Sequence, residues 1–105
     1  MAVDLAKVRQ KVLRGDYAVS FTHTEKLRQR QIRAGEIEQA IANGKIIEDY
    51  PEDPRGPSFL LFGMVKRRPL HIVCGNLDDD EVLIVTAYEP NEEEWEDDWT
   101  TRKKS

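Results

Sequence analysis

The sequence predicts an α+β domain in which the helices come first and the sheet follows. Apolar residues recur at helical spacing up to Asn43-Gly44, then at extended spacing from Lys45 onward, which separates the two kinds of element along the chain. The later apolar runs are joined by segments with turn chemistry, so an antiparallel meander is the economical topology. A chain of 105 residues can bury one core and has nothing left for a second. The expected architecture is therefore N-terminal helices packed on one face of a sheet of about four strands.

The elements follow in order. Asp4 can cap a first helix carrying Leu5, Val8 and Val12 on one face, with Lys7, Lys11 and Arg14 opposite and Gly15 as its stop. Tyr17–Phe21 alternates and reads as a short strand. Thr22 or Thr24 can then cap a second helix through Lys26, Leu27 and Arg30, with His23 at its entrance. Glu36–Ala42 forms a third helix that turns Ile37, Ala40 and Ile41 inward and stops at Asn43-Gly44. Lys45–Tyr50 is a strand. The next segment, Pro51–Pro57, holds three prolines and must be a loop, because proline donates no ladder hydrogen bond. Phe59–Val65, Leu70–Gly75 and Val82–Tyr88 complete the sheet. With the last turn centred near Asp78, Arg68 lies opposite Tyr88 and His71 opposite Val85, a register that a one-residue slip would turn inside out.

Residues 1–90 make the single domain, and residues 91–105 form an acidic then basic tail. Its two tryptophans, Trp95 and Trp99, stand four apart and could anchor one helical turn on the body. The lone Cys74 lies in an apolar run, which excludes a disulfide framework and fits a small buried hydrophobe. The N-terminus lacks the apolar stretch of a signal peptide, and no run approaches membrane-spanning length, so a cytoplasmic protein with no membrane partner is expected.

Charge is unevenly spread. Residues 1–33 hold eight basic side chains against three acidic ones, although the whole chain stands at −4. That asymmetry suits a basic face for an anionic partner and an acidic segment, Glu89–Asp98, that could compete for it. Lys26, Arg30 and Arg33, spaced four and three, would line one side of the second helix as phosphate contacts. No phosphate loop, metal-spaced cysteine pair or serine elbow is present, and the acidic clusters fall in turns or the tail, so no cofactor and no metal site is expected. The residues left for chemistry are His71, His23 and Tyr88. An imidazole titrating near neutrality can move a proton in RNA cleavage, arginine can stabilise the charge that develops on phosphorus, and tyrosine can stack on a base.

Several blocks occur together and in order: His23 before a basic helix, Glu36-Ile-Glu-Gln-Ala-Ile41, Asn43-Gly-Lys-Ile-Ile-Glu-Asp-Tyr-Pro51, Arg68-Pro-Leu-His71, and Val85-Thr-Ala-Tyr-Glu-Pro90 with Trp95 downstream. From about Tyr17 to Arg102 the chain resembles the bacterial and archaeal family named domain of unknown function 4258. That family looks related to small toxins of the RelE, ParE and BrnT type. The resemblance implies a RelE-like, curved sheet with an open RNA-binding face and an antitoxin partner of zinc-finger or helix-turn-helix type. It marks His23, Lys26, Arg30, Arg68, His71 and Tyr88. The leading expectation is thus a toxin-like, metal-independent endoribonuclease acting on mRNA, free or on the ribosome. In it His71 and His23 would move protons, and Lys26, Arg30, Arg67 and Arg68 would hold phosphate. The alternative is a non-catalytic protein-interaction module with the same fold, which suits the acidic balance and needs only main-chain pairing and side-chain pockets.

Overall fold

The computed structural model describes residues 5–19, 24–54, 57–75 and 82–103. Its elements are α1 (Leu5–Leu13), β1 (Tyr17–Val19), α2 (Thr24–Gln29), α3 (Ala34–Asn43), β2 (Lys45–Tyr50), β3 (Ser58–Val65), β4 (Arg68–Gly75) and β5 (Val82–Tyr88). The class is α+β. Asp4, Thr22, the Asn76–Asp80 turn and the end of the Tyr17–Phe21 strand lie outside the described residues.

The sheet corrects the expectation of about four antiparallel strands. It has five, in the order β1-β5-β4-β3-β2, and it is mixed. Strands β2 to β5 form the antiparallel meander, whereas β1 pairs in parallel with β5, Tyr17 beside Val82 and Val19 beside Ile84. A four-strand meander leaves one edge of β5 with unpaired backbone groups, and the short strand leaving α1 covers it. The Val82 N–H donates to the Asp16 carbonyl at 3.1 Å and starts that pairing.

Alternation along the strands sorts the interior into two sides. Phe59, Leu61, Leu70, Ile72, Cys74, Val82, Ile84 and Ala87 form one apolar cluster with Val8 and Val12 of α1, Leu27 of α2 and Ile37, Ala40 and Ile41 of α3. Helix α3 lies over β3. The approach is close enough that a Cβ on Gly63 would collide with the Ala40 carbonyl, so only glycine fits there. Burial pushes the Cys74 thiol up to about 12, which leaves it a packing group.

Leu60, Phe62, His71, Val73 and Tyr88 alternate onto the opposite side. That side is covered by the stretch after β5, where Trp95 is only 2 % exposed and an isolated bridge joins it to Arg102. The two tryptophans do not share a helical turn. Trp99 takes a left-handed φ of 60°, which breaks any helical path between them.

Two β-bulges decide which side chains meet on this covered side. In β2 the register shifts between Ile46 and Glu48, so Glu48, not Ile47, stands opposite Leu60. Where β5 meets β4 a second shift skips Val85, so Val73 faces Thr86 and His71 faces Tyr88. The expected pairing of His71 with Val85 is thereby corrected. Cys74 already meets Ile84 where the expected register gives Val82, and the bulge adds one residue more. The expected pairing of Arg68 with Tyr88 falls with it.

Candidate functional site

His71 sits at the centre of the covered side, with 0 % exposure. Three rings meet it edge to face: Trp95 at 4.4 Å between centroids, Tyr88 at 5.5 Å and Phe62 at 5.9 Å. Its Nε2 lies 2.6 Å from the Trp99 carbonyl oxygen. A carbonyl only accepts, so Nε2 carries the proton and Nδ1 of the neutral ring carries the lone pair. Nδ1 is buried and has no hydrogen-bond partner among the described residues. Protonating it would bury an N–H without an acceptor, and burial accordingly holds His71 below its ordinary pKa of 6.5. The Trp99 carbonyl and the Glu48 carboxylate pull the other way, and burial outweighs them.

A polar cluster adjoins the ring. Arg102 grips Glu48 with two parallel bonds, Nε to Oε2 at 2.7 Å and Nη2 to Oε1 at 2.9 Å, and its guanidinium lies 4.6 Å over the Trp95 ring. The Tyr50 hydroxyl donates to Glu48 as well. The Arg102 bonds hold the Glu48 carboxyl below its usual range, while burial and Glu48 push the Tyr50 phenol up to about 12. Tyr88 is also raised, by burial first.

Of the residues expected to act together, His71 and Tyr88 do meet. His23 lies outside the described residues. The cations are elsewhere and are not one row. Helix α2 ends at Gln29, Arg30 lies in the turn beyond it, Gln31 takes a left-handed φ of 58° and Arg33 caps α3, so the stripe of Lys26, Arg30 and Arg33 does not exist on one helix. At that cap the Glu36 carboxylate accepts from the Arg33 N–H at 2.9 Å.

Two of the expected phosphate contacts are already engaged within the fold. Arg30 donates to the Ala87 carbonyl at 2.8 Å and to the Thr86 hydroxyl at 3.2 Å. Arg68 ties four groups together: the carbonyls of Arg30 and Gln31, and the carboxylates of Glu36 and Glu89. It fastens the α2–α3 turn to the sheet. By contrast Lys26, Arg33 and Arg67 are exposed and make no side-chain hydrogen bond or ion pair among the described residues.

Sequence reasoning missed Glu48, Tyr50 and Arg102. The period of two between Glu48 and Tyr50 is a visible signal that they share a face, but nothing local marks Arg102, which reaches Glu48 from 54 residues away. Among the described residues no group of three or more His, Cys, Asp or Glu side chains is gathered to hold a metal ion, and no helix is long and apolar enough to cross a membrane.

A family model described as Domain of unknown function (DUF4258) matches residues 23–89. The match stops just before the segment that covers His71. No curated protein and no solved structure matches the chain.

Proposed function

We propose that this chain, which belongs to the DUF4258 family, works as a non-catalytic interaction module rather than as a ribonuclease. The observation that carries this reading is the enclosure of His71: its ring is 0 % exposed, Nε2–H is committed to a backbone carbonyl, and the one basic nitrogen faces the protein interior. A general base must come within hydrogen-bond reach of the proton it takes, and no 2′-hydroxyl reaches Nδ1 past Trp95. The engagement of Arg30 and Arg68 by protein oxygens supports the same reading, since guanidinium groups so held are not free for phosphate. If the family is related to small toxins of the RelE, ParE and BrnT type, the partner is an antitoxin-type protein.

One observation favours a second reading, a latched nuclease. His71, Tyr88, Tyr50 and Glu48 gather on one side of the sheet beneath a segment attached through Trp95 and Arg102. If that segment left, imidazole, phenols and a carboxylate would face solvent together.

The test incubates purified protein with RNA and with translating ribosomes, using the wild type, His71→Ala and Trp95→Ala, with unfolding measured in parallel. The interaction module predicts no cleavage by any of them. Cleavage by Trp95→Ala alone selects the latched nuclease. Cleavage by the wild type that His71→Ala abolishes refutes the leading reading.

A further inference from the structure

We propose that the groove at the N-terminal end of α3 docks an acidic, amphipathic segment of a partner protein. This deepens the interaction-module reading and rests on it. The groove has a volume of about 1030 Å³ and is half open. Its apolar lining comes from Val19, Leu27, Ile32, Ile37 and Val65, and its rim carries Arg28, Arg33 and Lys66.

Three observations point to the occupant. The first is charge. The three rim cations make no side-chain hydrogen bond or ion pair among the described residues, and the carboxylate of Glu36, which also lines the groove, is consumed by the Arg33 N–H and by Arg68. What remains is positive, and the aligned peptide dipoles at the start of α3 add to the same sign.

The second is backbone strain. Lys66 and Arg67 form the two-residue β3–β4 turn with φ of 50° and 71°, and Gln31 across the groove has φ of 58°. A turn with both central residues left-handed favours Asn-Gly, and non-glycine residues are held in that region at a cost. Here one strained position is given to Lys66, a cation that lines the groove, with Arg67 next to it in the turn, so charge is kept where conformational ease is sacrificed.

The third is the lining itself. Aliphatic side chains suit the leucine or isoleucine face of an amphipathic helix or strand, whereas single-stranded nucleic acid is held by aromatic stacking platforms, and among the described residues no aromatic ring lines this groove. A small molecule would want fuller enclosure.

The experiment uses the full chain and a labelled helix-forming peptide of about four turns, with leucine at core spacing and glutamate elsewhere. A lysine counterpart and an oligouridylate serve as the other probes. Binding is followed by anisotropy and by methyl NMR. The expected result is saturable binding of the glutamate peptide alone, weakened by salt, with shifts at Leu27, Ile32, Ile37 and Val65. Lys66→Asn with Arg67→Gly should weaken it roughly tenfold while raising the unfolding midpoint, so that lost binding cannot be lost folding. Arg28→Glu with Arg33→Glu should weaken it as well. Absence of saturable binding, shifts confined to other surfaces, or tighter oligouridylate binding in the same groove would each overturn the proposal. RNA cleavage in the same samples would overturn the interaction-module reading itself, and the peptide result would still be read separately.

Discussion

Replacing Trp95 by alanine should detach the segment that covers His71. The indole is 2 % exposed, stacks edge-on against His71 at 4.4 Å and carries the Arg102 guanidinium at 4.6 Å. Truncating a buried tryptophan costs about 3–5 kcal/mol. Its edge-to-face contact is worth about 0.5–1.5 kcal/mol and a half-exposed cation–π contact about 0.5–1 kcal/mol, but both vanish with the ring and are already inside that range. Against the ~5–15 kcal/mol that holds a domain of this size folded, the loss is large, yet the helix-side core is untouched. Trp95→Ala should therefore lower the urea midpoint strongly without changing the folded secondary structure. It should also let water reach His71, whose imidazole titration, followed by NMR, should move up toward its ordinary value. A loss below about 1 kcal/mol together with an unmoved imidazole titration would refute the reasoning, because it would mean that the C-terminal segment does not seal the sheet.

Other expectations follow from the same geometry. Because burial lowers the His71 pKa, the unfolded chain takes up a proton that the folded chain refuses, so stability is full above about pH 6.5 and declines as pH falls below it. The groups facing the ring are Glu48 of β2, Tyr88 of β5 and Arg102 of the covering segment, and loss tied to the lowered Glu48 pKa begins only below the usual carboxylate value of 4.5. His71→Phe should flatten the upper part of that slope in urea titrations taken at successive pH, and an unchanged slope would assign it elsewhere. Lys66→Asn with Arg67→Gly should raise stability by about 1–2 kcal/mol, since it relieves two left-handed residues; no gain in the unfolding free energy would show that the turn is not strained. Gly63→Ala should destabilise by about 1–3 kcal/mol, the usual cost of overpacking, by prising α3 from β3; near-neutral unfolding data would mean that the helix shifts freely.

Much of the architecture could be read from local pattern. Ile37, Ala40 and Ile41 recur at helical spacing before Asn43-Gly44, and α3 occupies nearly the span that this pattern implies. The runs that became β3, β4 and β5 are apolar, bounded by turn residues and too short to be helices. What stayed hidden depends on distant partners. The pairing of β1 beside β5 is a choice made by a free sheet edge far along the chain. Arg102 looks like one more cation in a charged tail until Glu48 is seen across from it. Arg30 and Arg68 read equally well as phosphate ligands or as structural ties, because the carbonyls and carboxylates that hold them come from other elements.

The skipped residues in β2 and β5 reach beyond this molecule. Each works as a parity switch: at unchanged length, a regular ladder through position 47 would set Ile47 opposite Leu60 and aim Glu48 at the greasy layer under the helices, and a regular ladder through 85 would set the Ala87 methyl where Tyr88 now meets the imidazole. Opening or closing a bulge there is thus able to rewrite the whole chemistry of one surface while every residue type is kept. Equivalence between relatives has to be judged by which layer a side chain enters, with ladder partners counted on both sides of each kink.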